Sequence, residues 1–130
     1  LIEWGEDIER TKKLIRKNDL EDKVMWLDPC SKKRLHKIIS FCDIIVDQFS
    51  MNALSATTVE SMFCKRPVIC KYFSNEKHPI LNFDSETKIT NFLKKCSKKD
   101  LYKIGEKSYK WIQSMKGFSK IALYENFFKN

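Results

Sequence analysis

The chain has 130 residues, of which 42% are hydrophobic and 12% aromatic, a composition that favours one packed domain over disorder. No run of about 18 or more apolar residues occurs, so the sequence predicts no transmembrane helix. The chain opens on Leu-Ile-Glu-Trp, which lacks the pattern of a signal peptide and is typical of a strand end. We therefore expect a piece of a longer protein.

The net charge is +8, and the basic residues are scattered through segments such as TKKLIRK, SKKRLHK and LKKCSKK. This scatter favours solvated helix faces, and no nucleic-acid-binding motif accompanies it, so no nucleic-acid partner is predicted. The five cysteines are widely spaced and form no Cys-x-x-Cys pair. They predict neither a zinc site nor a disulfide framework, and they favour a reducing, cytoplasmic setting.

The first half of the chain alternates strands and helices with short connections. The strands are predicted at 1–4, 24–27, 44–46 and 67–71. The helices are predicted at about 6–18, from Ser31 to Cys42, and in a short segment that ends near Cys64. Alternation of this kind is typical of βαβ units. The predicted fold class is therefore α/β, with a Rossmann-like parallel sheet and flanking helices.

The second half of the chain is predicted to be helical, with helices at about 86–95, 98–115 and 118–129. In the middle helix, apolar side chains recur on one stripe, and Gly117 suits the break before the last helix. No linker or internal repeat interrupts the sequence. Residues 1–130 are thus predicted to be a single, partial domain with a helical run at its carboxyl end.

Ligands of parallel α/β sheets bind at the carboxyl ends of the strands, which draws attention to the connection from Asp47 to Ser55. This connection runs from a central strand into the start of a helix, whose free N–H groups suit a phosphate. Asp47 and Gln48 are predicted to shape the loop, since Asp after a strand commonly does so.

Glu60 lies in the helix that follows this loop. Its carboxylate could accept hydrogen bonds from two sugar hydroxyls, but it could equally face solvent or pair with Lys65 or Arg66. Spacing alone favours these structural alternatives. His36 lies among Lys and Arg and is expected to be exposed, and His78 has no evident catalytic partner.

The run DKVMWLDPCSKKRLHKIISFCDIIVDQFSMNALSATTVESMFCKRPVIC resembles the carboxyl-terminal domain of GT-B glycosyltransferases of the group 1 (family 4) type. Residues 42–46 correspond to the strand before the donor-binding loop of the family. Residues 59–62 correspond to the family's "lEAM" segment, and residues 64–69 correspond to its "cGkPVI" segment. The tail from Ser97 to Phe128 is similar to the closing helices of these enzymes. The resemblance covers nearly the whole chain, and its middle part is the more specific.

The resemblance implies a nucleotide-sugar donor, which the parent enzyme would use to glycosylate a glycan or a lipid-linked acceptor in cell-surface glycan biosynthesis. Glu60 would bind the ribose. The donor loop and helix start would face the diphosphate and the sugar, and they comprise Asn52, Ala53, Leu54, Ser55 and Ala56. No cofactor or metal ion is expected. The amino-terminal domain of the parent would hold the acceptor, so the chain alone should be inactive.

Three departures from the family pattern keep other functions open. Asn52 stands where the family has its first glutamate, Ser55 replaces a loop glycine, and Lys65 replaces the later glycine. A non-catalytic GT-B-like binding domain and a sugar-nucleotide epimerase of GT-B build are therefore the alternatives. Phe127 and Phe128, with the basic surface, leave a peripheral contact with the inner face of the membrane as a further expectation. Packing of these rings on the amino-terminal domain is favoured instead.

Overall fold

Residues 1–115 are described by the computed structural model, and they form two compact units that divide between Leu35 and His36. The predicted helix at 118–129, the predicted break at Gly117, and Phe127 and Phe128 lie outside the described residues. Within residues 1–115, no helix has the length and apolar content needed to cross a membrane.

The first unit contains helix α1 (Ile8–Lys17), one turn of 3-10 helix (Glu21–Lys23) and a parallel bridge between Ile2 and Leu27. The prediction of two full strands here was wrong. The backbone of Leu27 bonds both neighbours of Ile2, with N–O distances of 2.8 Å, and the amino group of Leu1 donates to the Met25 carbonyl at 2.8 Å. These bonds form a single bridge rather than two strands. Asp19, with φ 51°, ends α1 in the left-handed conformation of a Schellman motif.

Helix α2 (Lys32–Phe41) spans the division, and the second unit then continues through five further elements. These are β1 (Ile45–Val46), α3 (Ala56–Phe63), β2 (Val68–Ile69), α4 (Glu86–Lys95) and α5 (Lys98–Ser114). Strands β1 and β2 pair in parallel, and Leu81 adds a parallel bridge to Ile69. The α/β class is confirmed, whereas the four-stranded sheet is wrong for residues 1–115, which form two strands and two bridges.

The core of the second unit lies where α3 packs against β2 and α5. Its buried members are Val59, Met62, Val68, Cys70, Ile80 and Ile112. Burial of such side chains stabilises the fold by about 1.5–3 kcal/mol each. The ring of Trp111 on α5 lies 6.3 Å from that of Tyr72 and 6.2 Å from that of His78. These edge-to-face contacts place the last turns of α5 beside the residues that follow β2.

The turn between α3 and β2 is a second Schellman motif. Lys65 N–H donates to the Met62 carbonyl at 3.0 Å, and Arg66 N–H donates to the Ser61 carbonyl at 2.9 Å. Lys65 takes a φ of 57°, which a glycine would adopt more readily. Helix α5 crosses this turn at Gly105, where an added Cβ would lie 2.0 Å from the Lys65 carbonyl oxygen. Gly105 thus permits close contact between α5 and the turn.

Candidate functional site

Asp47 ties the start of α3 to the carboxyl end of β1. Its carboxylate accepts hydrogen bonds from the hydroxyls of Ser55 and Thr58. Ser55 also caps α3, since its Oγ accepts from the Thr58 N–H at 3.0 Å. The backbone N–H of Asp47 donates to Ile69 in β2 at 2.9 Å. The amino end of α3 is therefore fixed at the edge of the sheet where parallel strands commonly bind ligands.

Gln48 organises the loop that follows. Its Nε2 donates to the carbonyls of Met51 at 2.7 Å and Ala53 at 3.0 Å, and its Oε1 accepts from the Met51 N–H at 2.7 Å. The Gln48 carbonyl also accepts from the Lys71 N–H at 3.1 Å. One side chain thus holds two residues of the loop in place through three hydrogen bonds. Asp47 and Gln48 both take part in the loop's internal hydrogen bonding.

Asn52 joins this loop to the segment after β2. Its Nδ2 donates to the Phe73 carbonyl at 3.2 Å, and its Oδ1 accepts from the Phe73 N–H at 2.5 Å. Both polar atoms of the amide are consequently engaged within the protein. Of the other donor-loop residues, Ala53 and Ala56 are exposed, while Leu54 packs against the core.

Glu60 is buried, with only 4% of its surface exposed, and its Oε2 lies 3.4 Å from Nε2 of His36. The solvent-facing alternative for Glu60 was therefore wrong. Lys65, one of its suggested partners, places its Nζ 2.9 Å from Oε1 of Glu106. Arg66, the other, donates to the Ser40 carbonyl.

The expectation that His36 is exposed was also wrong, since it is 4% exposed. His36 shares a face of α2 with the buried Ile39, one helical turn later, and that face is directed into the unit. The Lys and Arg residues beside it in the sequence are exposed on the other faces. The i, i+3 spacing from an apolar residue was the signal that could have identified this histidine as buried.

An open pocket of about 530 Å³ lies at the same edge of the sheet, a volume typical of small-molecule sites. Its lining comes from three segments that follow β1, β2 and the Leu81 bridge. The residues are Phe49, Lys71, Phe73, Asn82, Phe83, Asp84, Ser85, Glu86 and Ile89. Sequence reasoning missed this pocket, although its three phenylalanines follow strand-like segments by a few residues.

All five cysteines are free thiols. Burial raises the pKa of Cys64 to about 11, a shift that Glu60 reinforces and Arg66 opposes. Burial likewise raises the pKa of Cys70. In the described part of the chain, no three or more His, Cys, Asp or Glu side chains are grouped as metal ligands. The polar side chains of the site therefore suit hydrogen bonding better than thiolate chemistry.

Comparison with known proteins assigns no family: the sequence matches no protein-family model, and neither a curated protein nor a solved structure matches it.

Proposed function

We propose that this chain is the nucleotide-sugar-binding domain of a GT-B glycosyltransferase, whose full-length form transfers a sugar to a glycan or a lipid-linked acceptor. The observation that carries the proposal is the β1–α3–β2 unit. Asp47 and Ser55 fix the start of α3 at the carboxyl edge of two parallel strands. A helix start at this edge offers backbone N–H groups to a diphosphate, as in doubly wound sheets.

The backbone at Lys65 gives further support. The family motif has a glycine at this position, and Lys65 adopts a left-handed φ of 57° that favours glycine. The Schellman motif around Lys65 then returns the chain through Pro67 into β2. The replacement of glycine by lysine has therefore left the local path of the chain compatible with the family pattern.

A non-catalytic binding domain is the second candidate, and two observations favour it. Asn52 occupies the position of the family's first glutamate, and its side-chain amide is hydrogen-bonded to the backbone of Phe73. The carboxylate of Glu60 is almost fully buried. In this alternative the loop retains its shape while the contacts to the sugar have been lost.

Isothermal titration calorimetry of the full-length protein with UDP-, GDP- and ADP-sugars tests the proposal. We expect binding of one nucleotide class. Because hydrogen bonds to a carboxylate contribute about 1.5–3 kcal/mol, Glu60→Gln should weaken binding roughly tenfold or more. Glu76→Gln, at an exposed loop carboxylate, is the matched control and should leave the Kd unchanged.

The outcomes separate the two candidates. Absence of heat with every donor would refute the donor-binding proposal. Binding that is accompanied by slow release of nucleoside diphosphate through donor hydrolysis supports a transferase. Binding without any hydrolysis, measured over hours at high protein concentration, supports the non-catalytic domain. Melting curves for both variants establish that each remains folded.

A further inference from the structure

The pocket at the carboxyl edge of the sheet contains aromatic side chains that are open to solvent. Phe49 and Phe73 both line it, and they are 41% and 60% exposed. Phe83 also lines the pocket and packs against Phe92, with the two ring centroids 5.3 Å apart. Within residues 1–115, a ligand can therefore reach aromatic rings here without any part of the fold having to open.

Hydrogen bonds hold the two exposed rings in place in the absence of a ligand. Phe49 directly follows Gln48, whose carbonyl accepts from the Lys71 N–H at 3.1 Å. The backbone N–H and carbonyl of Phe73 are both bonded to the side chain of Asn52. The loop after β1 and the segment after β2 are thus joined at two points. A pocket that is ordered beforehand loses less conformational freedom on binding, which favours affinity.

The polar side chains of the pocket are mostly hydrogen-bond acceptors. Nδ2 of Asn82 donates to the Tyr72 carbonyl at 3.0 Å, which leaves the amide oxygen to accept from a ligand. Glu86, an exposed residue in the first turn of α4, adds a carboxylate. The carboxylate of Asp84 is ion-paired with Lys88 at 2.6 Å. Acceptors of this kind suit a ligand that carries N–H donors.

We propose that this pocket binds a nucleobase that carries an exocyclic amino group, as adenine and cytosine do. The flat face of a base stacks on aromatic side chains, and Phe49 and Phe73 supply such rings. The amino group donates to Asn82 or Glu86, and Lys71 donates to a ring nitrogen or carbonyl of the base. This site is additional to the donor contacts proposed above, and the inference does not rest on them.

Titration of the full-length protein with nucleosides tests the inference, because nucleosides lack the diphosphate and the transferred sugar of a donor. Cytidine has an amino group where uridine has a carbonyl, and adenosine and inosine differ in the same way. We expect the amino-bearing member of each pair to bind about tenfold more tightly, since it alone can donate from that position to the oxygen atoms of the pocket. Isothermal titration calorimetry measures the four Kd values.

Substitution of Phe73 separates ring stacking from the burial of apolar surface. Phe73→Leu retains an apolar side chain but removes the π face, so it should weaken cytidine binding at least about fivefold. Phe73→Tyr retains the ring and should bind cytidine as the wild type does. Phe41→Leu is the matched control, since Phe41 is 88% exposed on α2 and does not line the pocket. If melting curves show that Phe73→Leu does not fold, Phe49→Leu replaces it with the same expected loss.

Three results would overturn the inference. One is the absence of binding of every nucleoside at millimolar concentration, the result expected if another part of the full-length chain covers the pocket. The second is equal affinity within both nucleoside pairs. The third is cytidine binding that Phe73→Leu leaves intact, and its loss in Glu60→Gln would then assign the base to the donor site instead. Binding that depends on Phe73 and not on Glu60 supports the pocket whatever the titrations with nucleotide-sugars show.

Discussion

Replacement of Gly105 by alanine tests the packing of α5 against the turn after α3. In an unobstructed helix this change should stabilise the protein by about 1 kcal/mol, because alanine has the higher helix propensity. Here the new Cβ would lie 2.0 Å from the Lys65 carbonyl oxygen and 2.8 Å from its carbonyl carbon. The first distance is roughly 1.5 Å less than an ordinary van der Waals contact.

The obstructing atoms belong to backbone, so no side-chain rotation can relieve the overlap. The Lys65 backbone is also held by the hydrogen bonds of the Schellman motif. The steric cost should therefore lie near the upper end of the usual range for overpacking, about 3 kcal/mol. After the gain in helix propensity, we expect Gly105→Ala to lower the free energy of unfolding by about 2 kcal/mol. The corresponding fall in Tm is roughly 6–12 °C.

Urea denaturation followed by tryptophan fluorescence measures this change, since Trp111 lies on the same helix. Lys107→Ala, at an exposed position of α5, is the matched control and should change the unfolding free energy by less than about 0.5 kcal/mol. If Gly105→Ala instead stabilised the protein to the extent that helix propensity predicts, α5 could not pack on the Lys65 turn as described.

Three further predictions follow from single contacts. Lys65→Gly should leave the unfolding free energy within about 0.5 kcal/mol of the wild-type value, because relief of the positive φ offsets the lost ion pair with Glu106. Lys65→Val should lower the unfolding free energy by more than about 1 kcal/mol, because a β-branched residue tolerates a positive φ poorly. Equal losses for the two variants in urea denaturation would contradict the assigned backbone conformation. Hydrogen bonds from Ser97 hold the pKa of Asp100 below its ordinary value of 3.8, so the resulting stabilisation is present above that value and is lost as the pH falls through the lower folded pKa. Denaturation midpoints measured between about pH 5 and pH 2 should therefore decline less in Asp100→Asn than in wild type, and parallel declines would argue against this link. Cys64, which is partly buried, and Cys70, which is buried, should react with iodoacetamide at pH 7.5 at least roughly tenfold more slowly in the folded protein than in urea, because burial raises the pKa of both thiols. Peptide mass spectrometry measures the two rates, and similar rates in both states would show that the fold does not protect these thiols.

The helices were predictable from sequence where a local signal marks their ends. The predicted ranges 86–95 and 98–115 agree closely with α4 and α5, because Ser85 and Ser97 cap the two helices through their own side chains. The strands were less predictable. The apolar segment around Leu27 pairs only at one bridge, whereas Val68 and Ile69 pair with β1 on one side and Leu81 on the other. Whether a short apolar run becomes a strand depends on partners far along the chain, which local periodicity does not specify.

The environment of Glu60 shows the same limit at the candidate site. Spacing along the chain suggested only neighbours in sequence, Lys65 or Arg66, whereas one contact of Glu60 in the structure comes from His36 on a different helix. Five successive residues of α3 are buried, from Thr58 to Met62, so no side of that turn is open to solvent. An acid placed there needs partners from other elements of the fold. Titration of the Glu60→Gln variant with nucleotide-sugars therefore asks whether the buried carboxylate acts on a ligand or serves only to join parts of the fold.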